Sequence, residues 1–283
     1  MMSNALLEKF SEFASDLNHS EGVAWNPFDN RVYAGGEGGE LYSIDLDGEV
    51  ELLGSTGGSM LGIAVDGRGK VYACDAGRGE IARIDPQTKE LSVYARGVDG
   101  QDLDTPNVLA FAADGHAYVT CSGENGQPAI ARISPDGQAE TWTTAVPRYP
   151  NGCLVTPAGD ALVVVEAQAE RLVRIAIEPD GSAGTVETIA FLPDTDADGV
   201  GLAADGSYWI TLYRPDGLVR VDADGTLDLV VDDHLATRFN APTNIAWVGE
   251  SLDRAVIANV ASRSMLIADI GVAGTRLHYP DIQ

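Results

Sequence analysis

The stretch Asp198-Gly-Val-Gly-Leu-Ala-Ala-Asp-Gly-Ser-Tyr-Trp-Ile-Thr-Leu-Tyr213 decides how the chain is read. A short apolar run follows an acidic residue. Asp205-Gly206 then marks a turn, and a β-rich run from Tyr208 to Leu212 leads back. Asp-Gly between two such runs is a hairpin signal, because a tight two-residue loop needs residues that tolerate positive φ.

The same unit recurs along the chain. Glu21-Gly-Val-Ala-Trp25, Leu61-Gly-Ile-Ala-Val65, Asn107-Val-Leu-Ala-Phe111, Asn151-Gly-Cys-Leu-Val155 and Thr243-Asn-Ile-Ala-Trp247 each open a copy. Three further short strand patterns follow in every copy. The opening residues Glu21, Leu61, Asn107, Asn151, Asp198 and Thr243 are spaced by 40, 46, 44, 47 and 45 residues. A period in the forties with four strands per repeat predicts a propeller. The expected fold is therefore all-β: a six-bladed β-propeller with four-stranded antiparallel blades, occupying 20–283 as one domain. A β-sandwich is the alternative, but it predicts no such period. Residues 1–19 form an N-terminal extension. Leu6, Leu7, Phe10, Phe13, Ala14 and Leu17 follow helical spacing, which predicts a short amphipathic helix, with an added strand as the alternative. The sixth copy draws its outer strand from Thr275–Tyr279.

The first strand of a propeller blade lies innermost, so the six opening residues form a ring at one mouth of the channel. Four of them, Glu21, Asn107, Asn151 and Asp198, carry carboxylate or carboxamide oxygens. Carboxylates aimed at a common axis repel unless a positive charge lies between them. Two carboxylates and two carboxamides suit one hard divalent ion, Ca²⁺ first, with Mg²⁺ or Mn²⁺ as alternatives. Zn²⁺ is less well served, since the ring offers no His or Cys. Asn and Asp at a single strand start are commonly turn formers, but four oxygen donors at one phase of a repeat are not explained that way. Leu61 and Thr243 at the same phase are expected to be structural.

The formal net charge of −25 over 283 residues opposes nucleic acid and anionic membranes as partners. No apolar run reaches the length of a membrane span, and the N-terminus lacks the pattern of a secretory signal. Three cysteines without a C-x-x-C pattern (Cys74, Cys121 and Cys153) fit free thiols in a cytoplasmic protein. The four histidines are scattered. Only His19 lies near the ring, as a supporting residue at most. Gly35-Gly36-Glu37-Gly38-Gly39 lacks the Lys and helix of a phosphate-binding loop.

Four pieces carry a resemblance: Ser20-Glu21-Gly22 before Val-Ala-Trp, Thr105-Pro106-Asn107, Tyr149-Pro150-Asn151-Gly152, and Asp196-Ala197-Asp198-Gly199-Val200. In order and spacing they resemble the regucalcin/gluconolactonase (SGL) family of six-bladed propellers. The resemblance implies one divalent metal held by Glu21, Asn107, Asn151 and Asp198, and a small-molecule lactone or related ester as substrate. Sugar-lactone members carry an Arg two residues before the first metal Asn; here that position is Thr105. Glu124 matches a substrate-facing Glu of the family. By their place on loops or strand ends Glu124, Glu166 and Tyr213 are candidate rim contacts, with a solvated or structural role as the alternative. Asp198 is expected to act also as general base, the two Asn as ligands only, and Glu21 as a ligand that tunes charge. A metal-independent enzyme of strictosidine-synthase type and a non-catalytic binding platform are the alternatives; segments such as Val164-Val-Glu166 resemble the former. Fold alone does not decide between them.

Overall fold

Burial falls off across each sheet as the sequence pattern requires. Second strands such as Val71–Asp75 and Ala117–Cys121 are buried at every position, whereas outer strands such as Val50–Ser55 and Leu227–Asp232 are exposed or half-buried and bury one side chain each, Leu53 and Val231. The computed structural model describes residues 4–98, 101–124, 126 and 128–282. Six four-stranded antiparallel sheets stand around a central channel as the blades of a propeller. Their inner strands are Val23–Asn26, Met60–Val65, Pro106–Phe111, Pro150–Val155, Asp196–Leu202 and Pro242–Val248.

Each blade buries both faces. Among the described residues six apolar clusters fill the spaces between neighbouring blades, one per interface. Aromatic side chains from the second strands anchor several of them. Tyr72 meets Phe111 edge-on at 5.0 Å, and Trp209 meets Trp247 at 6.5 Å. Tyr33 and Tyr72 also donate to the turn residues Asp29 and Asp66, at 2.6 and 3.0 Å. These bonds tie the hairpin turn to the strand that follows it. The three cysteines are free and buried. Among the described residues no helix is long and apolar enough to cross a membrane.

Of the two terminal segments, the N-terminal one follows the alternative expectation, an added strand, and the C-terminal one departs from expectation. In place of an amphipathic helix, the N-terminal segment makes a single 3-10 turn, Leu7–Lys9, and then a strand, Ser11–Ala14. That strand pairs with Met265–Ala268 as the outer strand of the sixth blade. Phe10 is fully buried beside it, edge-on to Phe239 at 4.9 Å. The apolar residues at helical spacing are real core contacts, but they reach the core through a strand and its flanks. Thr275–Tyr279, expected as that outer strand, instead crosses the far end of the channel. Thr275 N–H donates to Leu202 O, His278 Nε2 lies 2.8 Å from Thr156 O, and Gly67 N–H donates to Pro280 O. The tail thus touches several blades from below and lines a small apolar cavity deep in the channel.

Candidate metal centre and its cavity

The inner strands do not simply end at the channel mouth; they bulge there. Pairing with the second strand slips between Met60 and Ile63, Pro106 and Leu109, Pro150 and Cys153, Ala197 and Val200, and Pro242 and Ile245. The ring residues Leu61, Asn107, Asn151, Asp198 and Thr243 fall inside these slips. A bulge re-aims a side chain that a regular strand would point into the sheet. Small residues let neighbouring bulges approach: a Cβ on Gly152 would strike Asp198 O, and one on Gly199 would strike Thr243 O. Hydroxyls then staple one blade to the next. Thr120 accepts from Val108 N–H and donates to Asn151 O at 2.7 Å, and Thr211 accepts from Gly199 N–H and donates to Thr243 O at 2.6 Å.

The residue two places before the ring position takes a left-handed backbone in four blades: His19 (φ 50°), Thr105 (φ 56°), Tyr149 (φ 61°) and Ala241 (φ 49°). None is glycine, so each costs backbone energy that the surroundings must offset. Buried polar side chains on the second strands, or just beyond them, hold these approaches. Asp75 accepts from Ser59 N–H at 3.0 Å, Glu166 from Arg148 N–H at 2.9 Å, and Asn259 from Asn240 N–H at 3.2 Å.

The expected tetrad converges on one cavity of about 460 Å³ at the channel mouth, lined by Glu21, Asn107, Asn151 and Asp198. Asn107, Asn151 and Asp198 are 2%, 6% and 7% exposed, and one oxygen of each (Oδ1) has no hydrogen-bond partner. Unpartnered buried oxygens are rare and call for a ligand or water. Glu21 is partly buried. Its carboxyl is pushed up to about 7 by burial, and further by Glu124 and Glu37. Asp198 is likewise raised well above the usual carboxylate range by burial and then by Glu21, with the Asn151 side chain opposing through a hydrogen bond. Both shifts have the same causes: the carboxyls are buried, and they lie beside like charge without a countercharge. Among the described residues no three His, Cys, Asp or Glu side chains come together as a metal-binding group. The donors are two carboxylates and two carboxamides, a set that fits a hard dication in charge and chemistry.

Thr105, Glu124 and Tyr213 line the same cavity, as do Leu61 and Thr243. Glu166 does not. It is fully buried, and its second oxygen meets Arg171 at 2.6 Å. In place of a substrate contact it anchors the loop before Asn151. His19 points to Val260 O at 2.8 Å, away from the cavity lining. Sequence reasoning missed Tyr149, Gln168 and Asp196 in the lining, and Ser122 behind Asn107. Tyr149 shares with Thr105 the phase two before a ring asparagine, so the repeat could have found it. Ser122 has no such signal.

A family model described as "SMP-30/Gluconolactonase/LRE-like region" matches residues 37–261. The gluconolactonase of Zymomonas mobilis is 29% identical over 115 residues, 36% of this chain and 32% of that protein. Matches of this kind span between 32% and 55% of the curated relatives' own length. Among solved structures, a gluconolactonase from Xanthomonas campestris superposes with a TM-score of 0.79 at 21% identity, covering 92% of this chain and 89% of that one. A calcium-binding regucalcin from Agrobacterium tumefaciens gives 0.78 at 17% identity, covering 97% and 98%. At these identities the structural likeness speaks for the fold.

Proposed function

The chain belongs to the SMP-30/gluconolactonase/LRE-like family, and on that premise we propose that it is a divalent-metal-dependent hydrolase of a lactone or related ester. The observation that carries the proposal is the convergence of three buried, unpartnered oxygens, on Asn107, Asn151 and Asp198, with the Glu21 carboxylate on one open cavity. A rigid binding platform needs no such set. The calcium-binding regucalcin and the two gluconolactonases among its relatives favour Ca²⁺ as the ion and a lactone as the substrate.

Glu21, Asn107, Asn151 and Asp198 would hold the ion. When bound, it supplies positive charge that polarises the substrate carbonyl and offsets the charge developing on its oxygen. The chain's own residues do the rest. Asp198 presents a carboxylate at the cavity floor and takes a proton from the attacking water as its oxygen bonds to the carbonyl carbon. When the ring C–O bond breaks, that proton passes to the leaving alcohol oxygen. Asn107 and Asn151 have no proton to exchange and act as fixed dipoles. Tyr149, Tyr213 and Leu61 wall the cavity and limit water, and the Thr105 hydroxyl and Gln168 amide offer hydrogen bonds to substrate. Thr105 in place of an Arg leaves that wall without a cation, so a typical sugar lactone would bind with fewer polar contacts. The reading includes a cytoplasmic location, supported by the three unpaired buried thiols.

The test is a panel of aldonolactones, alkyl lactones and aryl esters, followed by proton release, with chelator-stripped protein supplied with Ca²⁺, Mg²⁺, Mn²⁺ or Zn²⁺. Turnover of at least one class that depends on added metal is expected. Turnover undiminished by full chelation would instead favour a metal-independent enzyme.

A further inference from the structure

The charge of the cavity wall is one-sided. Its lining holds four carboxylates (Glu21, Glu124, Asp196 and Asp198) and the rings of Tyr149 and Tyr213, with no Lys, Arg or His among the described residues. Two arginines adjoin that wall in sequence, and neither lines it: Arg148 is exposed, and Arg214 is paired elsewhere. Arg214 packs on the Tyr213 ring, 4.8 Å from its centre, but points its guanidinium to Asp216 at 3.2 Å. A dication on the tetrad would balance Glu21 and Asp198 and leave Glu124 and Asp196 over. One Glu124 oxygen accepts the Tyr149 hydroxyl at 3.1 Å, and no hydrogen bond or ion pair to the Asp196 carboxylate is present among the described residues. That the cavity takes a ligand at all rests on a separate observation, the unpartnered Oδ1 atoms of Asn107, Asn151 and Asp198 in its floor, on side chains more than nine-tenths buried.

We propose that the substrate carries a cationic ammonium group, held at the rim by Glu124 and Asp196 beside the rings of Tyr149 and Tyr213, and that anionic lactones and esters are rejected. This rests on the hydrolase reading for the chemistry, though not for the binding. Acidic groups beside aromatic faces are the setting in which organic cations bind, since both the carboxylate and the ring quadrupole attract positive charge. An anionic substrate would meet two uncompensated carboxylates on the way in, a repulsive element that discriminates without any new contact. The formal net charge of −25 adds a long-range field of the same sign. Thr105 agrees with this: an Arg there would have cancelled one rim carboxylate.

The experiment compares three matched aryl esters whose acyl chains end in ammonium, hydroxyl or carboxylate, with the metal-reconstituted protein at low ionic strength. The kcat/KM for the ammonium ester should exceed that of the carboxylate ester by on the order of 10 to 100-fold. The ratio should shrink towards one in about 0.5 M salt, where exposed charges are screened. Asp196→Asn and Glu124→Gln should each lower the ammonium-to-hydroxyl ratio several-fold. Equal turnover of the three esters, or a ratio that neither variant moves, would overturn the proposal. If no ester turns over, benzylammonium, benzyl alcohol and benzoate are titrated calorimetrically instead. Binding of benzylammonium alone, weakened by Asp196→Asn, would uphold the cation site while the hydrolase reading falls. No preference among the three would overturn the cation site itself.

Discussion

The Asn107 carboxamide is locked by Ser122. Asn107 Nδ2 lies 3.0 Å from Ser122 Oγ, and Ser122 Oγ lies 3.0 Å from Pro150 O in the next blade. Pro150 O can only accept, so the single hydroxyl proton of Ser122 goes there. Ser122 is then left with lone pairs for Asn107, which must offer its nitrogen. That fixes Asn107 Oδ1 towards the cavity, where it is unpartnered. One serine thus sets the orientation of the proposed ligand oxygen and links two blades.

Ser122→Ala should therefore weaken Ca²⁺ binding by roughly tenfold or more, the usual cost of losing a partner that orients a metal ligand. The loss of folding stability should be only about 1–2 kcal/mol. Calorimetric titration and chemical denaturation of the same variant separate the two. Ser122→Thr, which keeps the hydroxyl, should recover most of the affinity.

Asp198→Asn should change stability with opposite signs in the two states. Without metal it removes a buried carboxylate that faces Glu21, and the metal-free protein should gain about 1–2 kcal/mol at mildly alkaline pH. With Ca²⁺ present the wild type should be the more stable, because it binds the ion more tightly and gains more from it. Melting curves in chelator and in Ca²⁺ test both signs.

The pH dependence follows from the same two carboxyls. Glu21 rises from its ordinary 4.5 to about 7, and Asp198 rises with it. Raised carboxyls bind more protons in the folded than in the unfolded chain, so their contribution is fully present below 4.5 and is lost as the pH climbs through about 7. Metal-free protein should lose stability across that window. A bound ion replaces the protons, so the gain in Tm on adding Ca²⁺ should grow from about pH 5 to about pH 8, with protons released on binding.

The period of the chain made the fold readable, because six copies of an inner strand and its hairpin repeat at nearly constant spacing. The convergence of Glu21, Asn107, Asn151 and Asp198 on one cavity was readable for the same reason: a shared phase becomes a shared height on one axis. What stayed hidden lies between repeats. Ser11–Ala14 is four residues long and pairs with a strand more than 250 residues away. No local pattern distinguishes that from a helix with the same apolar residues. Ser122 acts only through a bond to the next blade. Glu166 ends a strand near the ring and has the chemistry of a substrate contact, but Arg171 and the Arg148 amide claim both its oxygens.

Glu166→Ala should accordingly destabilise the fold by about 2–4 kcal/mol, leaving the partly buried Arg171 guanidinium without its carboxylate and the Arg148 N–H without its acceptor. Denaturation midpoints check this. Glu166→Gln keeps the amide bond and should lose less.

Phe10→Ala should cost about 3–5 kcal/mol, the range for emptying a fully buried aromatic site. Because Phe10 packs beside the strand that completes the sixth blade, exchange of backbone amides with solvent should rise first in Ser11–Ala14 and Met265–Ala268. Protection factors for the two strands test whether they open together.

The most direct measurement is calorimetric titration of Ca²⁺ into chelator-stripped protein, run in parallel on wild type, Asn151→Ala and Asp198→Asn. One equivalent per chain in the wild type, with affinity lowered at least tenfold in both variants, is the expected result. No binding in the wild type, or one equivalent bound equally well by all three, would contradict a metal centre on Glu21, Asn107, Asn151 and Asp198.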